Sequence, residues 1–525
     1  MPLPVVLVHG YSTEGETPPG ASFTRATLQK LYGALPDDLE ARGLAVVPVN
    51  LGRYISLDDG LGIDDISLAF DRALRSPEYA SLLETGFNAI IHSTGALVMR
   101  NWVRRYWNLE KEGKQCPLKR LIHLAGANLG SGWAHIGQTQ LAKFARMFQG
   151  TERGVAVLRA LELASNWSID MHTHFLHKGT QMLKDYGVME FCLVGSQVPA
   201  EYVLIPIRYG KEDGSDGVVR VSASNLNFNY LRIEPTEAGM AVGWDDAVAY
   251  SRAISRRALS STPSQAAFDS DYYQISFDSG PGQQTGGTKS DGEVRPRIPF
   301  AIPYNTCHSD AKIGIVSGTD NRPEILGLLT QIFNTDLAGY DALADAFDTV
   351  TAQTYQTASV DQHAKNFLSG VKNFIRNSFD DPHTQYDKHA QLVFRIRDQH
   401  GAPINDFSIF FNSLGGDQND RPTQIINGLF EDKHKNDFTP NTINFYLRIE
   451  KFNPDTHTWD SQLPDINGVD IEIDATDAVT NRVVFLPIRL RVDANQLQKW
   501  LRPHRTTIVD VTMFRVPSSQ AFMIR

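Results

Sequence analysis

Cysteine is scarce. Cys116, Cys192 and Cys307 are three in 525 residues, an odd number with no CxxC pair, so neither a disulfide framework nor a thiolate zinc site is written here and a reducing compartment is the default. Excess positive charge is lacking as well. Fifty Lys and Arg against sixty Asp and Glu leave a net charge of −10. Without a segregated basic stripe, that balance repels a phosphate backbone, and nucleic acid is not an expected partner. No apolar run approaches the roughly 18 residues of a membrane span, so any membrane contact is expected to be peripheral. Residues 1–10 pass into an apolar strand without a basic leader or a small-residue cleavage site. The expectation is a cytoplasmic protein, with leaderless export as the alternative. What is present is ordinary: 42% hydrophobic, 21% charged and 10% aromatic residues, the balance of a compact fold rather than a disordered or fibrous chain.

Apolar runs at 5–8, 44–51, 88–92, 121–124 and 191–194 read as parallel strands covered on both faces. Helical patterns lie between them at 22–39, 66–74 and 96–107. In the last, Val98, Trp102 and Tyr106 take one side and Arg100, Arg104 and Arg105 the other. The alternation predicts a parallel α/β sheet. Residues 134–184 read as a mostly helical insertion able to cover a site. Residues 260–297, polar and rich in Gly, Ser, Gln and Asp, read as loop or disorder. Helical segments resume at 323–377. From about 385 the texture changes to alternating strands, which predicts a separate β-sandwich over 385–525 and a first domain over 1–384. No internal repeat is visible.

The sharpest local feature is Ile90-Ile91-His92-Ser93-Thr94-Gly95, which closes one strand and opens a helix. At such a turn a serine is forced into a strained backbone that projects its Oγ above the sheet. The usual pattern is G-x-S-x-G, with Ile91 here at the first glycine. A serine of no catalytic role in a strand-helix turn fits the hexapeptide too. A second strand ends in His9-Gly10-Tyr11, where a turn supplies a backbone N–H. With the N–H of Thr94 it would make an oxyanion hole from Tyr11 and Thr94. Gly214-Ser215-Asp216-Gly217 follows a late strand, where a carboxylate that orients an imidazole belongs, although Asp213 competes for the role. His308, in Thr306-Cys307-His308-Ser309, is the candidate general base. His92, His123, His135 and His400 have no comparable placement and read as surface or packing residues. His172, His174 and His177 offer imidazoles to a metal but lack a clear carboxylate partner. The simpler reading is a helical insertion with solvated rings.

These stretches, with Leu124-Ala125-Gly126-Ala127-Asn128-Leu129-Gly130-Ser131, resemble bacterial lipases and esterases of the α/β-hydrolase superfamily, close to lipases related to GPI inositol-deacylases. The resemblance covers residues 1 to about 375. It implies an α/β-hydrolase fold with a lid-like insertion at 134–184, Ser93 as nucleophile, Asp216 as acid and His308 as base, in the chain order of that superfamily. The Gly-Val-Val after Asp216 resembles the acid turn of such lipases and favours it over Asp213. The implied activity is hydrolysis of esters of hydrophobic acids through an acyl-enzyme, polyesters included, with no metal or organic cofactor. Two alternatives stand beside it: a membrane-active phospholipase, exported as an effector, and an inactive interaction protein on a hydrolase scaffold. Oligomeric state is not legible.

Overall fold

The computed structural model describes residues 2–8, 25–49, 60–113, 115–135, 155–199, 212–257, 271–283, 294–360, 385–414, 425–463, 466–476 and 482–518. The chain divides into two compact units. The first comprises 1–226, 296–387 and 452–458, and the second 227–295, 388–451 and 459–525.

Among the described residues, the first unit is built on a six-stranded parallel sheet of β1 (Val5–Val8), β2 (Val46–Pro48), β3 (Phe87–His92), β4 (Leu118–Leu124), β5 (Met189–Leu193) and β8 (Phe300–Ala301), in the order β2-β1-β3-β4-β5-β8. Every residue of β1 and β3 is buried, as the continuous apolar runs require when helices cover both faces. The 22–39 pattern is two helices, Arg25–Tyr32 and Leu35–Ala41. They part at Gly33, whose φ of +57° carries the chain past Ser317 so closely that a Cβ would lie 3.0 Å from the Ser317 Cα. Of the 134–184 insertion, residues 136–154 lie outside the described residues. The described part forms helices Val155–Leu161 and Asn166–His174. Ile169 and Met171 are fully buried in the second, and the Arg100 guanidinium lies 4.7 Å over the Phe175 ring, so this stretch packs as body of the fold.

The second unit holds β6 (Asn229–Pro235), β7 (Tyr273–Ser279), β9 (Lys388–Asp398), β10 (Phe407–Leu414), β11 (Phe430–Lys435), β12 (Thr442–Asn453), β13 (Thr458–Ser461), β14 (Gly468–Ala475), β15 (Val483–Phe485), β16 (Ile488–Asp493), β17 (Thr506–Met513) and β18 (Arg515–Pro517). A large mixed sheet runs β11-β12-β9-β17-β6-β7, with β13 on β12, beside a smaller sheet β10-β14-β16. A shared core contains Leu231, Ile233, Phe394, Phe411, Phe445 and Ile471. Phe411 and Phe445 meet edge to face at 4.9 Å. Two expectations are corrected. The single break near 385 coincides with the entry to β9, but residues 227–295 also belong to this unit, because β6 pairs in parallel with β17 from the far end of the chain. The loop expected over 260–297 contains β7, which pairs antiparallel with β6. Its alternation of Tyr273, Ile275 and Phe277 was masked by polar flanks.

Candidate active site

Ser93 sits where β3 turns into the Gly95–Tyr106 helix, with φ at +55°. A non-glycine residue in the left-handed region costs on the order of 1–3 kcal/mol and persists where its surroundings over-determine it. Here they do. Its N–H donates to the Leu124 carbonyl at 3.3 Å, and its carbonyl accepts from Ala96 and Ala127. Ile91, in place of the usual glycine, is fully buried and paired with His123 of β4, so the turn forms with it. Ser93 itself is partly exposed amid buried neighbours. Thr94 is the N-cap of the following helix, so its N–H has no intrahelical acceptor. Tyr11 and the His9-Gly10 turn lie outside the described residues.

Asp216 and His308 are fully buried, and His308 Nδ1 lies 2.9 Å from Asp216 Oδ2. The other carboxylate oxygen accepts from the N–H groups of Val218 at 3.0 Å and Val219 at 2.8 Å. The Asp216 carboxylate is thereby clamped in its own turn. An acceptor carboxylate fixes the proton of a neutral imidazole on Nδ1, which leaves Nε2 as the basic nitrogen. The turn is braced from outside by Glu212, whose carboxylate takes two bonds from the buried Arg220 guanidinium at 2.8 and 2.7 Å. Trp133 Nε1 donates to the Gly217 carbonyl at 2.8 Å. Asp213, the competing acid, accepts instead from Gln385 Nε2 at 2.8 Å.

The loop carrying His308 is shaped by Cys307, which exchanges backbone bonds with Ile313 and Ile315, and by Gln197, whose N–H donates to the Thr306 carbonyl. Gly195, just past β5, lets this loop approach: a Cβ there would lie 1.9 Å from the Thr306 carbonyl oxygen. No local sequence pattern signals Gly195 or Trp133.

His92 was expected to be a surface or packing residue. It is buried, its Nε2 lies 3.2 Å from the His308 carbonyl, and the two rings are 4.7 Å apart between centroids. Of the solvated rings expected at 172–177, His177 is exposed and His174 partly exposed, and only His172 is corrected. His172 is fully buried and its Nε2 donates to the Asn128 carbonyl, because the helix bearing it is part of the packed body. Among the described residues no group of three or more His, Cys, Asp or Glu side chains is arranged to hold a metal ion, and no helix is long and apolar enough to cross a membrane.

No protein-family model matches the chain, and no curated protein matches it. Solved structures do. Phospholipase PlaB from Legionella pneumophila superposes with a TM-score of 0.71 at 21% identity, over 100% of this chain and 96% of that one. The same phospholipase in complex with thio-NAD gives 0.70 at 21% identity, over 99% and 96%. The mature lipase BlEst2 of Bacillus licheniformis overlaps in part, with a TM-score of 0.30 at 14% identity, over 43% of this chain and 79% of that one. The finer resemblance to GPI inositol-deacylase relatives has no counterpart among these three. The fold of the first unit is that of the α/β-hydrolases, and the likeness to the Legionella structure extends through the β-rich second unit to the whole chain.

Proposed function

We propose that this chain is a serine carboxylester hydrolase acting on esters of hydrophobic acids. One observation carries the reading: a buried imidazole is oriented by a buried carboxylate at 2.9 Å, and its ring lies against the residue next to a strained serine. In the mechanism, His308 Nε2 takes the Ser93 proton as Oγ attacks the ester carbonyl. The oxyanion that forms is met by the Thr94 N–H and, by resemblance, that of Tyr11. The imidazolium then protonates the departing alcohol and leaves an acyl-enzyme. A water deprotonated by the same imidazole attacks that ester, and the acid is released with Ser93 restored.

A phospholipid is the substrate class best supported, because the whole-length architectural likeness is to a phospholipase. A buried acyl chain contributes about 0.8 kcal/mol per CH₂ to binding. The net charge of −10 favours zwitterionic over anionic surfaces. The test compares wild type with Ser93→Ala on p-nitrophenyl esters of short and long acids and on phosphatidylcholine vesicles. Release of fatty acid from vesicles, abolished in the variant, is the expected result. Turnover of long p-nitrophenyl esters without release from vesicles would reduce the reading to a lipase or esterase of other esters. No turnover of any ester by the folded wild type would favour the interaction protein.

A further inference from the structure

The backbone of His308 is held at both its N–H and its C=O. Its N–H donates to the Asp216 carbonyl at 3.0 Å, so the acid grips the base through main chain as well as side chain. Its C=O faces His92 Nε2 at 3.2 Å. A carbonyl oxygen can only accept, so that nitrogen carries a proton. The two rings meet at an interplanar angle of 42°, and His92 and His308 are 4% and 0% exposed. His92 is the last residue of β3, in register with Leu124 of β4, and it directly precedes Ser93. The bonds at Cys307 and Gln197 fix the base loop's shape and its seat beside β5. The His92 bond ties that loop to the nucleophile's own strand.

We propose that His92 is a positioning residue: by donating from Nε2 to the His308 carbonyl and lying against its ring, it sets the height of the His308 loop relative to the Ser93 turn. The inference rests on the serine-hydrolase reading above. Reach distinguishes this role from packing. A glutamine amide nitrogen is separated from Cβ by the same number of bonds as histidine Nε2, whereas an asparagine amide nitrogen matches Nδ1. His92→Gln therefore keeps a donor for the carbonyl, His92→Asn places it short, and His92→Phe keeps an aromatic ring without a donor.

The experiment measures kcat and KM of the full-length variants on a soluble p-nitrophenyl ester, with kcat expressed per fluorophosphonate-reactive site so that a misfolded fraction does not count. Misplacement of a reacting group by an ångström costs up to about a hundredfold. His92→Gln should keep kcat within about threefold of wild type. His92→Asn and His92→Phe should lose about 10- to 100-fold, with KM within about twofold throughout, the signature of an interaction that acts on the chemical step. Equal kcat in folded His92→Asn and His92→Gln, whether both high or both low, would overturn the proposal, and that pair decides the matter if His92→Phe does not fold. Ser93→Ala separates the two levels. Full activity in it would overturn the hydrolase reading and this inference together. An inactive Ser93→Ala beside a His92→Asn of wild-type kcat would overturn the inference alone.

Discussion

Asp216 is held from both of its carboxylate oxygens, one accepting from two amides and the other facing the imidazole. Asp216→Asn keeps the size but offers an amide N–H in place of one acceptor, and so favours the wrong tautomer of His308. A fall in kcat on the order of 10⁴ is expected, with KM little changed. Asp213→Asn, whose carboxylate meets Gln385, should stay within about threefold of wild type. Steady-state kinetics of the two variants check this, and a reversed ranking would move the acid to Asp213. A second prediction concerns Gly195. Its alanine variant must push Cβ into the Thr306 carbonyl, so the base loop shifts. A loss of kcat of at least about tenfold is expected, and a variant with wild-type kcat and melting temperature would contradict the close approach. Ser93, Asp216 and His308 were picked out by short patterns with small flanking residues, and of the three the structure joins Asp216 to His308 by a hydrogen bond. His92 and Gly195 were not picked out, because their importance lies in partners 216 and 111 positions away in the chain, which no local pattern records.

At the scale of elements, the helix that follows Ser93 is tied to β5 by a buried ion pair. Arg100 lies 2.6 Å from Glu190, with His123 of β4 at 3.4 Å from the same carboxylate. Burial pushes the Glu190 carboxyl upward, but Arg100 and His123 outweigh it and hold it below the usual range. Arg100→Leu strands a buried charge, which costs about 3–5 kcal/mol. Chemical denaturation should register that loss, and a change below about 1 kcal/mol would contradict the pairing. Acidification tests the neighbouring histidines. Burial lowers His123, and burial with the positive charges of Arg104, His177 and Arg100 lowers His174 to about 4. The unfolded chain takes up these protons near 6.5 while the folded one does not. Their contribution is therefore complete above about 6.5 and is lost as pH falls below it, for His174 down toward about 4. The unfolding midpoint should drop between pH 7 and pH 5, and His174→Gln should flatten the drop. A midpoint that holds or rises would contradict the assignment. Strands β1 and β3–β5 and the helix after Ser93 were legible from burial on both faces and the 3.6-residue period. The break at Gly33 and strand β7 were not, because one depends on contact with Ser317 and the other on a partner, β6, that itself needs β17.

At the scale of the whole chain, the second unit is threaded from both halves of the sequence, and its contiguous appearance after residue 385 concealed this. Truncation at residue 387 would leave β6 without β17 and would expose Leu231 and Ile233, which are fully buried in the second core. The truncated protein should aggregate. A soluble, monodisperse truncation with the wild-type melting temperature would contradict the division. The central claim, that Ser93 is a nucleophile activated by His308, is tested most directly by mapping a fluorophosphonate adduct in the intact protein. One stoichiometric phosphonate is expected on the peptide bearing Ser93, absent from a folded His308→Ala variant. Folded wild-type protein that takes up no label, or carries it on another residue, would contradict it.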